Sequence, residues 1–278
     1  MRQVKTGTHG GWILLGLWMT AIFGVAGCEQ FAVVSESIFM MSPQQEIQLG
    51  EKIADQVEQD LEFVEDSAVN RYVQALGRKI WQHSPESAID ARFHVVADPE
   101  INAFAIPGGN VYVQTGLIQA ADDEAELAAV IAHEVGHVVM RHGARHISHS
   151  QGLELVQQVL LGEESEQAAQ LVASIISQGV MFNYSRQDER EADRIAVYTL
   201  NRAAYDPLAL RTFFVKLKSR YGEQGGPIAS FFSSHPPTSE RMNNVTQLVE
   251  ALPNPVRHRP VTELRRVQGR LEQLGYTP

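Results

Sequence analysis

Residues 122–142 constrain this chain more than any other stretch. The run "LAAVIAHEVGHVV" (127–139) is apolar and small almost throughout, so it reads as a helix buried on all sides. Yet it carries His133, Glu134 and His137. Two imidazoles and a carboxylate buried together without a shared partner carry a large desolvation penalty, which a metal ion relieves. On a helix, positions 133 and 137 lie about 40° apart around the axis and one turn apart along it, so both rings can converge on one ion. Glu134 is turned by about 100°, beside the ion rather than on it. A carboxylate there can take a proton from attacking water and return it to a leaving amine. Gly136, with no side chain, lets a second backbone come close.

A catalytic zinc usually has three protein ligands, so a third has to come from elsewhere in the chain. A metzincin arrangement needs glycine at 140 and histidine at 143, and those positions hold Met140 and Gly143. The alternative is an acidic residue on another helix. In "NYSRQDEREADRIAVYTL" (183–200), Glu189 and Asp193 are four apart and share a face, whereas Glu191 points away by about 200°. One face therefore offers Glu189 as a ligand and Asp193 as a carboxylate that fixes the tautomer of a ligand histidine. Glu191 reads as a surface or salt-bridging residue. His142, His146 and His149 lack ligand spacing and read as outer groups around the site.

The rest of the chain bounds the partners. A formal charge of −10 argues against nucleic acid, since phosphate binding wants a basic face. The basic stretch at 257–270 reads as a solvated amphipathic helix. Cys28 is the only cysteine, so no internal disulfide can form. Before it stand Arg2, Lys5 and the uncharged run "GGWILLGLWMTAIFGVAG", the pattern of a secretory signal over residues 1–27. "VAGC" (25–28) resembles the bacterial lipobox, which implies cleavage after Gly27 and lipidation of Cys28. An uncleaved signal anchor is the alternative. Glu29 after the cysteine implies, by the same resemblance, an outer-membrane lipoprotein facing the periplasm, tethered by residues 28–41.

Beyond the tether, "SPQQ" opens an amphipathic helix at Ser42, and Val69, Tyr72, Val73, Leu76 and Ile80 mark a second. The period then changes to two in "ARFHVVAD" (91–98) and "GGNVYVQTG" (108–116), which predicts two strands with "PGG" as a tight turn before the second. Helices are expected over 122–142, 150–182, 186–202 and 207–221. The fold class is α+β and predominantly helical, with a small sheet beside the motif helix, in one domain.

Four segments together carry a family resemblance: "HEVGH" (133–137), "NAFAIPGGNVYVQTGLI" (102–118), "SRQDEREAD" (185–193) and "SSHPPTSERM" (233–242). In that order, across about residues 42–250, they resemble the M48 peptidases, zinc metalloproteases of the glu-zincin type with bacterial periplasmic and lipoprotein members. The resemblance implies a zincin-like domain over 42–252, followed by a helical tail at 253–278. It implies one Zn2+ per chain held by His133, His137 and Glu189, with Glu134 as general base. It also implies a substrate peptide added antiparallel to an edge strand near Gly109 to Thr115. In related proteins the histidine of the "HP" motif, here His235, lies close to the metal and caps it at rest; Arg241, six residues on, is placed to stabilise a developing oxyanion. The plain alternative is a loop held by Pro236 and Pro237, with Arg241 tying it down. Two functions are thus expected to compete. One is an endopeptidase acting on misfolded or misassembled envelope proteins. The other is a latched chaperone or assembly adaptor, with residues 150–182 as a lid and His235 as a fourth ligand.

Overall fold

A computed structural model describes residues 41–151, 153–161, 173, 184–222 and 229–277. The signal, the lipobox with Cys28, and most of residues 162–182, part of the segment read as a lid, lie outside the described residues.

Helix α1 (Pro43–Asp60) starts where the sequence marks it. The Ser42 side chain accepts from the Gln45 amide, the Gln45 side chain reaches back to the Ser42 amide, and Pro43 fills the first turn. Helix α2 (Ser67–His83) is capped by Asp66, which accepts from the amides of Ala68 and Val69. Three strands follow, β1 (Arg92–Val96), β2 (Ala103–Ala105) and β3 (Asn110–Gln114). They form a sheet ordered β1-β3-β2, with β1 parallel and β2 antiparallel to β3.

This sheet corrects two expectations. The second predicted strand is shorter than 108–116, because helix α3 (Thr115–Ala120) takes over at Thr115 and Gly108 and Gly109 belong to the turn, at φ +84° and +91°. More consequentially, β3 is the centre of the sheet, so no peptide can add along Gly109 to Thr115. Its residues are buried on both faces: Val111 and Val113 join the main core with Phe93 and Val95, while Tyr112 stacks between His94 and Phe104 in a second core beneath α1. The open edge lies on β2. There Ala103 and Ala105 turn their backbone groups away from β3, since the adjacent rungs run from Ile106 to Asn110 and from Gln114 to Asn102. Three residues are too few for alternation to announce a strand.

Helix α4 (Glu124–Val139) carries the motif, and every residue from Ala125 to Val138 is buried. Asp123 caps it, accepting from the Glu126 amide. It ends earlier than the expected 142. Arg141 takes a left-handed backbone, φ +55°, which costs a side-chain-bearing residue about 1 kcal/mol or more. Arg141 is held there from α1: its guanidinium donates to the Glu46 carboxylate (2.6 Å) and to the Met41 carbonyl (2.7 Å). Helix α5 (His142–Gln151) then starts in a new direction, followed by α6 (Leu153–Leu161).

Helix α7 (Arg186–Arg202) crosses α4 at closest range where Gly136 meets Ala192. A Cβ on Gly136 would lie 2.8 Å from the Ala192 Cα, so only glycine permits this approach. Helices α8 (Ala209–Tyr221), α9 (Ala229–Ser234), α10 (Ser239–Glu250) and α11 (Thr262–Gln273) complete the shell. The segment read as a helical tail supplies α11, whose Leu264, Val267 and Leu271 are buried in the main core while Arg266 and Glu263 pair in solvent.

Candidate metal centre

Three elements meet over the Gly136–Ala192 crossing. Helix α4 presents His133, Glu134 and His137, all buried. Helix α7 presents Glu189 and Asp193 from its first two turns. Its start is fixed by Ser185, whose side chain accepts from the Asp188 amide while the Asp188 carboxylate accepts from the Ser185 amide. The third element is the turn after α9. It carries His235, and Thr238 then caps α10 by accepting from the Arg241 amide, which aims the Arg241 side chain back at α7.

The ring nitrogens converge. His133 Nε2 lies 3.1 Å from His137 Nε2 and 3.2 Å from His235 Nδ1, and His235 Nδ1 lies 2.9 Å from Glu189 Oε1. Glu189 also stands 3.5 Å from both His133 Nε2 and His137 Nε2. Ligand atoms of His133, His137, Glu189 and His235 all lie within 4.8 Å of one another. The opposite nitrogen of His133 faces Asp193 Oδ1 at 3.0 Å. The Nδ1 hydrogen is therefore spent on that carboxylate, and a lone pair at Nε2 points to the common centre. Lone pairs crowded this way repel unless a positive charge stands among them, so the donor set fits a cation.

Arg241 organises the carboxylates from behind. Its guanidinium makes a two-point fork to Asp193 (2.7 and 2.8 Å), reaches Glu189 Oε2 at 2.5 Å, and donates to the Pro236 carbonyl at 3.1 Å. It touches the loop and the carboxylates together, the contacts of a tie between the loop and α7.

The electrostatics point the same way. Burial alone would raise the Glu189 carboxyl, but His235, Arg241 and His133 reverse this and hold it well below its usual range. Asp193 is likewise lowered against burial, chiefly by Arg241. Burial opposes charge on His133, yet Glu189 and Asp193 push it up to about 9. His137 moves the other way, well down, because burial dominates there and His133 and His142 add like charge. The buried carboxylates thus favour positive charge at the centre, which a bound cation would supply. Burial raises Glu134, against the pull of His235 and His133. Its Oε1 is buried with no hydrogen-bond partner, 3.5 Å from His235 Nε2, and the carboxylate accepts from the Ala105 amide on the open edge of β2.

One further side chain was not legible as part of the site. Tyr184 stacks on His137 with ring centroids 3.9 Å apart, closing one side of the centre. A cavity of about 140 Å³ bounded by Tyr184, Arg186, Pro236 and Thr238 reaches Glu189 and Arg241 from outside. His142 is buried beside His137, and Glu191 pairs with His142 and Arg145, whereas His146 and His149 are exposed.

A buried HExxH helix crossed by a helix that carries a glutamate and an aspartate, beside a small mixed sheet, defines a zincin-like metallopeptidase domain. The sequence profile described as Peptidase family M48 matches residues 67–249, and the chain belongs to that family. It is similar to the β-barrel assembly-enhancing protease of Escherichia coli (strain K12), 32% identical over 191 residues that cover 65% of this chain and 39% of that protein. It is also similar to the mitochondrial metalloendopeptidase OMA1 of Schizosaccharomyces pombe, 33% identical over 177 residues, 63% of this chain and 52% of the relative. OMA1 of Arabidopsis thaliana is 36% identical over 154 residues, 55% of this chain and 30% of the relative. The matches thus span about half the length of these curated relatives or less.

Proposed function

We propose that the domain is a zinc-dependent endopeptidase in which His133, His137 and Glu189 hold the ion and Glu134 is the general base. The observation that carries this reading is the convergence of four donor groups within 4.8 Å beside a buried, unpartnered Glu134 oxygen. A bound zinc supplies Lewis acidity toward a peptide carbonyl and toward water. The chain's own residues do the rest. Glu134 takes one proton from the attacking water as the new C–O bond forms, then delivers it to the amide nitrogen as the C–N bond breaks. Asp193 keeps the His133 hydrogen on Nδ1, and Arg241 holds Asp193 and Glu189 in place. A substrate strand would add along the open edge of β2, at Ala103 and Ala105, through main-chain hydrogen bonds. The Ala105 amide would then be released from Glu134 to the substrate.

We further propose unfolded or misassembled envelope proteins as substrates, with the domain facing the periplasm from a lipidated Cys28. The name of the Escherichia coli relative and the lipobox-like "VAGC" support this setting. Among the described residues no helix is long and apolar enough to cross a membrane. Incorporation of labelled palmitate should vanish in Cys28→Ala; undiminished labelling would rule out that anchor.

One observation favours a second reading. His235 stands inside the donor cluster, where an active centre keeps an open position, so it can latch the site and leave a weakly proteolytic chaperone or adaptor. Casein hydrolysis by wild type and His235→Ala separates the two. A protease latched only at rest gains activity in the variant; a chaperone or adaptor stays as weakly proteolytic as the wild type.

A further inference from the structure

We propose that His142 and Glu191 are positioning residues that set the tautomer of His137, through a chain of hydrogen bonds running from Glu191 through His142 to His137. The inference rests on the reading of His137 as a metal ligand.

His137 Nδ1 and His142 Nδ1 are 2.8 Å apart, so one donates and the other accepts. The far side of His142 decides which. His142 Nε2 faces Glu191 Oε2 at 3.1 Å and Asp188 Oδ1 at 3.7 Å. Carboxylate oxygens only accept, so the hydrogen of a neutral His142 belongs on Nε2 and its Nδ1 carries a lone pair. That lone pair accepts the Nδ1 hydrogen of His137. His137 is thereby left with its lone pair on Nε2, the nitrogen that faces His133 and Glu189. The opposite hydrogen placement would put an N–H where the ion has to bind.

Glu191 is built for this task. Arg145 Nη2 reaches its Oε2 at 3.4 Å, and the Gln187 amide donates to Oε1 at 2.9 Å, so the carboxylate is held from both ends. Arg145 also pairs with Asp188. The two ligand histidines are thus oriented by different means: His133 directly by Asp193, His137 through a second imidazole.

The test is zinc affinity, measured by competition with a chromophoric chelator, together with the thermal stability of the zinc-free proteins. Losing a partner that orients a ligand histidine typically weakens metal binding about 10–100-fold. His142→Phe keeps the bulk but removes the acceptor, so zinc affinity is expected to fall by that factor. His142→Asn restores an acceptor oxygen near the place of Nδ1 and should recover affinity to within about threefold of wild type. Glu191 is partly exposed, so its variants are expected to fold. Glu191→Gln still offers an accepting carbonyl and should bind nearly normally, whereas Glu191→Lys presents a donor to His142 Nε2 and should weaken zinc about tenfold or more. A bulk packing role predicts instead that stability falls while zinc affinity stays at the wild-type value in His142→Phe and Glu191→Lys. That result overturns the proposal but leaves the metal centre standing. Absence of stoichiometric zinc binding by the wild type overturns both.

Discussion

Glutamine in place of Glu134 is expected to lower casein cleavage by about 10²–10⁴-fold, the range that a positioned general acid–base contributes, while zinc stays bound as in the wild type. The two effects separate because Glu134 is not among the four clustered donors. Its Oε1 has no hydrogen-bond partner, and its carboxylate otherwise accepts from the Ala105 amide. A glutamine carbonyl can keep that bond, so the fold has little reason to respond. What is lost is an acceptor for a proton. Burial matters here because it raises the carboxyl toward the working pH, where a base is most effective. Wild-type cleavage by Glu134→Gln would remove the residue from the mechanism.

The second large effect is expected at Asp193. It is fully buried and binds the equally buried Arg241 by two hydrogen bonds while accepting from His133 Nδ1. Asp193→Ala leaves Arg241 with Glu189 and the Pro236 carbonyl but without its forked partner. Breaking a buried pair from one side costs about 3 kcal/mol, read as a shift in the denaturant midpoint. The same change frees the His133 tautomer, so zinc affinity should fall about 10–100-fold. Asp193→Asn retains one acceptor and should fall between. An unchanged midpoint in Asp193→Ala would show that the Arg241 fork does not hold the two elements together.

Much of this centre was legible because two helices write their geometry into residue spacing. His133 and His137 are one turn apart, Glu189 and Asp193 are one turn apart, and the apolar run around the motif announced its burial. Gly136 signalled a close approach, and Ala192 is where it occurs. What spacing could not reveal depends on where helices stop. On an unbroken helix, residues 137 and 142 would lie about 140° apart and never touch. The left-handed turn at Arg141, secured by Glu46 some 95 positions earlier, resets the direction and lays His142 against His137. The partners of that turn are remote in sequence, so no local pattern encodes it.

Strand order was hidden for a similar reason. The alternation in 110–114 marks a strand, but whether it lies at the edge or the centre depends on β2, whose three residues show no period. The burial of β3 on both faces is written only weakly in "NVYVQ", where Tyr112 occupies the face that a half-exposed strand would give to solvent. His235 and Arg241 were reachable through family resemblance alone. Their approach to α7 is set by the Thr238 cap and the prolines before it, more than 40 positions beyond Glu189.

The central claim is that two imidazoles and a glutamate share one ion. Zinc content of the purified protein, compared with that of Glu189→Gln, tests it most directly. The account predicts one zinc per chain in the wild type and a large loss of it in the variant, whose amide is a weak ligand with no charge to balance the ion. Zinc retained in full by Glu189→Gln, or a wild type that binds none, would contradict it.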